Sequence, residues 1–294
     1  MSQSKHAMLI MAHNQFEILK LLMRQLDDER NDLFIHVDKK AKMFSQSEFD
    51  NICTKSKVYF IPQMSIYWGH SSIVECELCL LEAALKSGEE YSYMHLLSGV
   101  DLQLKSNDVI HKFFDAHPDR QFLAVRNPYS GLSGMNYYYF FQWFRCYSRL
   151  LSSGFEKFSL LLQKKILHVN RLKNVTYSVA KAQQWFSITS EFAAYVVEQR
   201  SFIREFTRYT SCSDEMFLAT VLVNSPFVSQ WYHENGREGD HMRLIDRVRN
   251  EGASPHTWRI EDWELISNSP YFWARKFDLN VDKAIIEKVF NTIK

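Results

Sequence analysis

The first 125 residues alternate short apolar runs with amphipathic stretches, and this alternation restricts the fold more than any other feature. Ala7–Ala12 (AMLIMA), Leu33–Val37 (LFIHV), Val58–Ile61 (VYFI), Tyr93–Leu97 (YMHLL) and Gln121–Val125 (QFLAV) read as buried strands. Between them, Ile18, Leu19, Leu21, Leu22 and Leu26 recur at helical spacing. A second helix is expected from Ser72 to about Lys86, and a third over Ser106–Phe114. Asn14 with Glu17, and Ser72 with Glu75, have the spacing of capping boxes. Strands alternating with helices predict an α/β fold with a mostly parallel central sheet and helices on both faces.

The alternation stops near residue 127. Between Met135 and Lys173 lie ten aromatic residues, seven Lys or Arg and one acid, Glu156. A shorter pattern resumes with Trp185–Ile188, a helix from about Ser190 and another from about Ser213. The polar stretch 233–262 reads as loop, and Asp282–Ile293 as a closing helix. No internal repeat or low-complexity linker interrupts the chain, so a single domain over 1–294 is expected.

Composition removes several function classes. The net charge is +1, which argues against a protein that coats nucleic acid. Only 9 glycines are present, and none falls in G-x-G-x-x-G, G-x-x-x-x-G-K-[ST] or G-x-S-x-G, so the usual dinucleotide, P-loop and hydrolase signatures are missing. Five scattered cysteines, with Cys76 and Cys79 one helical turn apart in an apolar pattern, read as reduced core residues and not as a metal site. No signal peptide and no transmembrane run is evident, which leads us to expect a cytosolic protein.

Ligands of open α/β sheets bind beyond the carboxyl ends of the strands. That rule selects His13 after the first strand and Asp38, Lys39 and Lys40 after the second. It also selects Tyr67 and Trp68 after the third, and Asp101 after the fourth. Asp38 has the position to accept hydrogen bonds from a ribose or a base, and equally to be a solvated turn residue. In SCSDEMFLAT, Ser213 reads as a helix N-cap. Asp214 and Glu215 then either stabilise the helix terminus or, for Glu215, act as a general base. In FWARKFD, Arg275 and Lys276 are either surface residues resting on apolar neighbours or cations for a diphosphate. Arg243 is a similar cation in MRLID. The two histidines of HENGREGDH are too far apart for a convincing metal site.

Taken in order, MAHNQ, HVDKK, YWGHSS, LLSGVDLQLKS, SDEMFLAT, RLID and FWARKFD resemble the core 2/I-branching β-1,6-N-acetylglucosaminyltransferase family, which includes peptide O-xylosyltransferases. The resemblance implies a GT-A glycosyltransferase fold and inverting transfer from a UDP-sugar. It makes 1–126 the nucleotide-sugar-binding half, 127–180 an aromatic and basic insertion, and 181–294 the acceptor and catalytic half. Met11, Ala12, His13, Asp38, Lys39 and Lys40 would line the uridine site, with Tyr67 and Trp68 nearby. Glu215 would be the catalytic base, and Arg243 and Lys276 would hold the diphosphate in place of a metal. Asp101 is the single carboxylate where most GT-A enzymes carry D-x-D, so no metal and no other cofactor is expected.

Animal members of that family carry a membrane anchor, a stem and disulfides. Their absence here leads us to expect a bacterial relative that builds surface polysaccharide. The expected partners are a UDP-sugar of N-acetylglucosamine, xylose or galactose type and a glycan or lipid-linked glycan acceptor. Peripheral contact with the inner face of the cytoplasmic membrane is expected through 135–173. The alternative is a catalytically silent nucleotide- or sugar-binding protein, or a membrane-surface interaction protein of the same fold.

Overall fold

Apart from the half-buried edge run Val58–Phe60, the apolar runs are strands buried on both faces, as a parallel sheet between two helical layers requires. A computed structural model describes residues 4–125, 133–140, 149–233, 239–252 and 254–293. In chain order the elements are β1 (Lys5–Ala12), α1 (Phe16–Leu26), β2 (Asn31–Val37), β3 (Val58–Phe60), α2 (Ser72–Leu85), β4 (Tyr91–Ser98), β5 (Leu102–Gln103), α3 (Asn107–Asp115) and β6 (Phe122–Val125). They continue with α4 (Ser133–Asn136), α5 (Arg149–Lys165), β7 (Ala182–Thr189), α6 (Ser190–Glu198), α7 (Arg200–Thr207), α8 (Phe217–Val223), β8 (Arg243–Ile245), α9 (Trp263–Ser267), β9 (Trp273–Arg275) and α10 (Lys283–Thr292).

The main sheet has the order β3-β2-β1-β4-β7-β6. β7 runs antiparallel to both its neighbours, and the remaining pairs are parallel. Alternate residues of β1 serve opposite layers. Ala7 and Leu9 pack with Val74, Leu78 and Leu81 of α2 and with Phe192 and Val196 of α6. Met8 and Ile10 pack with Leu19 and Leu22 of α1 and with Ile110 and Phe114 of α3. Each such side chain contributes about 1.5–3 kcal/mol on burial. The expected α/β architecture with helices on both faces is therefore present.

A second sheet of order β5-β9-β8 was not anticipated from the sequence. Its strands are two or three residues long. β8 lies inside the stretch expected to be loop. Behind the sheet, Leu102, Ala274, Trp258 and Phe277 pack against Ile285, Ile286 and Val289 of α10. The closing helix is as expected, and the Asp282 side chain caps it by accepting from the Ile285 N–H.

The two expected capping boxes do not form. α1 is preceded by Gln15 in the left-handed region, with no side-chain cap. At α2, the Ser72 hydroxyl accepts from the Tyr67 N–H at 3.0 Å, and Glu75 pairs with Arg204. Nor does Ser213 cap a helix. Ser213–Glu215 is a 3-10 turn that precedes α8.

Polar groups cross the core in one continuous chain. Ser187 Oγ bonds to His95 Nδ1 at 2.7 Å, and His95 Nε2 to His6 Nδ1 at 3.1 Å. The His6 ring stacks on His111 at 4.0 Å, and His111 Nε2 bonds to Asn31 Oδ1 at 3.0 Å. Burial holds all three imidazoles below the ordinary histidine range, His111 at about 4.

Candidate active site

β1 lies between β2 and β4, so the strand order reverses across it, and the space beyond its carboxyl end is where ligands of such sheets bind, here called the crevice. The three strand ends are tied together there. The Asp38 N–H donates to the Ala12 carbonyl, and the Gly99 N–H to the Met11 carbonyl, both at 2.9 Å. Gly99 is required by this closeness, because a Cβ there would lie 2.8 Å from the Ala12 Cβ.

The loop after β2 is locked to the turn after β3. Asp38 Oδ1 accepts from the Lys40 N–H at 2.9 Å, and Lys40 Nζ lies 3.4 Å from Asp38 Oδ2 and 4.1 Å over the Tyr67 ring. The Lys39 and Lys40 side chains are exposed, and Trp68 is 64% exposed. The turn also reaches the catalytic candidate. Gly69, at φ 71°, presents its carbonyl to the Cys212 N–H at 3.0 Å, and Cys212 opens the 3-10 turn that carries Glu215.

Glu215 Oε2 pairs with Lys181 Nζ at 2.9 Å. Beside it, Asp214 Oδ1 is buried with no hydrogen-bond partner. Burial, and then the charge of Glu215, push the Asp214 carboxyl up to about 7. Behind Asp214, Glu77 is fully buried in α2. It accepts from Gln184 Nε2 at 2.8 Å, and burial followed by the charge of Asp214 raises its carboxyl well above the ordinary range. Gln184 also lies against the Met11 sulfur at 3.9 Å.

On the opposite wall, Asp101 is buried and meets Arg275 Nη1 at 3.3 Å, while its Oδ2 accepts from the Ser98 N–H at 2.8 Å. Arg275 also lies 4.3 Å over the Trp185 ring. Burial, and then the charge of Arg275, lower the pKa of His13. Lys276 Nζ faces Glu251 at 3.7 Å.

Arg243 is not where a diphosphate ligand belongs. It is 2% exposed, and its terminal N–H groups donate to the carbonyls of Leu96, Phe186 and His241 and to Ser187 Oγ. Its guanidinium sits 4.8 Å over Trp273. Burial pulls its pKa down to about 9. The expected diphosphate contact is corrected on this ground, since Arg243 joins β4, β7 and β8 from inside. Met11, Ala12, His13, Asp38, Lys40, Tyr67 and Asp101 are gathered round the crevice, with Lys39 and Trp68 exposed beside them.

The family model described as Core-2/I-Branching enzyme matches residues 7–266. The chain belongs to the core-2/I-branching enzyme family. That membership places it among glycosyltransferases. It is 24% identical to xylosyltransferase 2 of Rattus norvegicus over 303 residues, which covers 95% of this chain and 32% of the rat protein. It is 23% identical to xylosyltransferase oxt of Drosophila melanogaster, over 90% of this chain and 30% of the fly protein. The chain thus spans about a third of the length of the curated relatives it matches. Among solved structures, mouse xyloside xylosyltransferase 1 in its apo form aligns with a TM-score of 0.35 and 9% identity, covering 78% of this chain and 84% of that one. A likeness that loose carries no argument.

In this core-2/I-branching enzyme, residues that the sequence did not single out also lie beside the candidates. Lys181 immediately precedes β7, Gln184 and Trp185 lie in it, and Arg247 follows β8. The Arg247 Nε is buried without a partner among the described residues, and its charge acts on Asp214 and on Arg275. No local motif marks these positions, because each is brought there by the packing of β7 and β8 and of the residues that flank them. Among the described residues, no group of three His, Cys, Asp or Glu side chains is placed to hold a metal ion.

Proposed function

We propose that this chain is an inverting, metal-independent transferase that moves a sugar from a UDP-sugar to a hydroxyl of a glycan acceptor, in the synthesis of a bacterial surface polysaccharide. The observation that carries the reading is the linkage of Glu215 to the nucleotide side of the crevice. The turn that holds Glu215 is hydrogen-bonded through Cys212 and Gly69 to the Tyr67 turn, which Lys40 ties to Asp38.

Inversion is a single in-line displacement. Glu215 takes the proton of the acceptor hydroxyl as its oxygen bonds to the anomeric carbon. The bond from that carbon to the diphosphate oxygen breaks, and the electron pair leaves with UDP. Lys276 remains the proposed diphosphate cation. Arg275 and Arg247 replace Arg243 beside it, because fixed cations in a partly dry site stabilise the departing charge strongly. Asp101 orients Arg275 and is thereby occupied as a carboxylate. Lys181 orients Glu215. The described cysteines are free, in keeping with a cytoplasmic site of action.

The test is UDP release from a panel of UDP-sugars, with UDP-xylose first because of the relatives' names, in the presence and absence of EDTA. Release with one donor, unchanged by EDTA, is expected. A strict requirement for a divalent ion would overturn the cation account.

A further inference from the structure

Helix α5 is turned inside out. The two side chains it buries between residues 153 and 165 are polar, Glu156 and Gln163. Gln163 holds the Tyr138 backbone from both ends, donating to its carbonyl at 2.9 Å and accepting from its N–H at 2.8 Å. The outward side carries Phe155, Phe158, Leu161 and Leu162, continued by Ile166 and Leu167 in the turn that follows, at exposures of 37–67%. Spacings of three and four residues place Phe155, Phe158, Leu162 and Ile166 on one stripe. Lys157, Lys164 and Lys165 are exposed beside it. Glu156 is the one acid among the described residues of 133–180, and it is buried.

Soluble monomers bury such a stripe, so this one has a partner. We infer that α5 and its following turn form a docking face for an anionic lipid bilayer, with the apolar stripe entering the acyl boundary and Lys157, Lys164 and Lys165 meeting the phosphates. Charge selects this occupant. The net charge of the chain is only +1, yet the exposed charged side chains described on α5 are all lysines. A second copy docked on the same face by two-fold symmetry would set lysine against lysine. A lipid surface offers both the apolar interior and the negative charge that this rim fits. Among the described residues no helix is long and apolar enough to cross a membrane, so the contact is peripheral. Of the segment 135–173 expected to touch membrane, 141–148 lie outside the described residues. The inference rests on α5 alone and is independent of the sugar-transfer reading.

The experiment is flotation of the whole protein with vesicles of phosphatidylcholine alone or mixed with phosphatidylglycerol, at low and high salt, alongside sedimentation of the free protein. Binding to the mixed vesicles is expected, weakened by salt and much weaker on phosphatidylcholine. The double variant Phe158→Glu/Ile166→Glu alters exposed side chains and should keep its melting temperature while binding falls about tenfold or more. Absence of binding at low salt overturns the inference. So does binding that the variant retains, or a dimer that the variant dissolves without vesicle binding in either form. UDP release is measured in parallel and decides only the catalytic reading.

Discussion

Asp101 Oδ1 meets the guanidinium of Arg275 at 3.3 Å and joins the main sheet to the small one. Asp101 is almost fully buried and the Arg275 side chain is only 20% exposed, so water replaces a lost partner poorly on either side. Asp101→Asn should therefore cost about 3–5 kcal/mol. The denaturant midpoint of the variant measures it, and an unchanged midpoint would show that the pair does not join the sheets.

Glu215, the proposed base, is paired with Lys181 Nζ at 2.9 Å. Glu215→Gln should lower the transfer rate by about 10²–10⁴-fold while the affinity for UDP stays within about twofold. Calorimetric titration with UDP separates the outcomes. Loss of UDP binding would make Glu215 a structural partner of Lys181 and not the base.

Asp214 gives a pH signature of definite sign. Its folded pKa, about 7, lies above the unfolded value of 3.8. Between those values the folded state binds the extra proton, so the stability from this group is complete below about pH 4 and declines as pH rises to about 7. Asp214→Asn removes that decline. Its stability advantage over the parent should grow by a few kcal/mol from pH 4 to 7 and then level off. A pH-independent difference in denaturant midpoints would refute the assignment.

The buried imidazoles act in the opposite direction. His6, His95 and His111 all have folded values below 6.5. Below about pH 6.5 the unfolded chain takes up protons that these folded rings refuse, and their stabilising effect is lost as pH falls toward 4. Ring-carbon resonances of His95 and His6 should stay at neutral-imidazole positions down to pH 5. An inflection near 6.5 in the folded protein would contradict this.

Gly99→Ala tests how closely the strand ends approach. The new methyl would stand 2.8 Å from the Ala12 Cβ and 3.3 Å from its Cα. Overpacking of this kind costs about 1–3 kcal/mol and displaces the residues beside it. A lower melting temperature together with weaker UDP binding is expected. A normal value of either would mean that the crevice yields without consequence.

The legible part of the fold was the part with a strong local signal. β1, β2 and β4 announce themselves because parallel strands buried on both faces are continuous apolar runs, and the rule about their carboxyl ends then finds His13, Asp38 and Asp101. The small sheet was illegible because β5, β8 and β9 have two or three residues each and form only by pairing across the chain. Arg243 misled for the same reason. In MRLID it is a lone cation in a polar stretch, yet its partners include the carbonyl of Leu96, 147 residues away. The caps failed because S/T-x-x-E spacing is common, and Ser72 and Glu75 found tertiary partners instead.

The small sheet also sets an order of events during synthesis. Asp101 and Arg275 are 174 residues apart, and closing a loop of that length costs on the order of 4–5 kcal/mol before any contact repays it. As the chain leaves the ribosome, β1 to β4 can pair while β5 still lacks its strand partner β9 and Asp101 lacks Arg275. The region around Asp101 and Arg275 is the last to take shape. A nascent chain can therefore bury most of its core long before this corner of the crevice is complete, which waits until the segment around Arg275 has emerged.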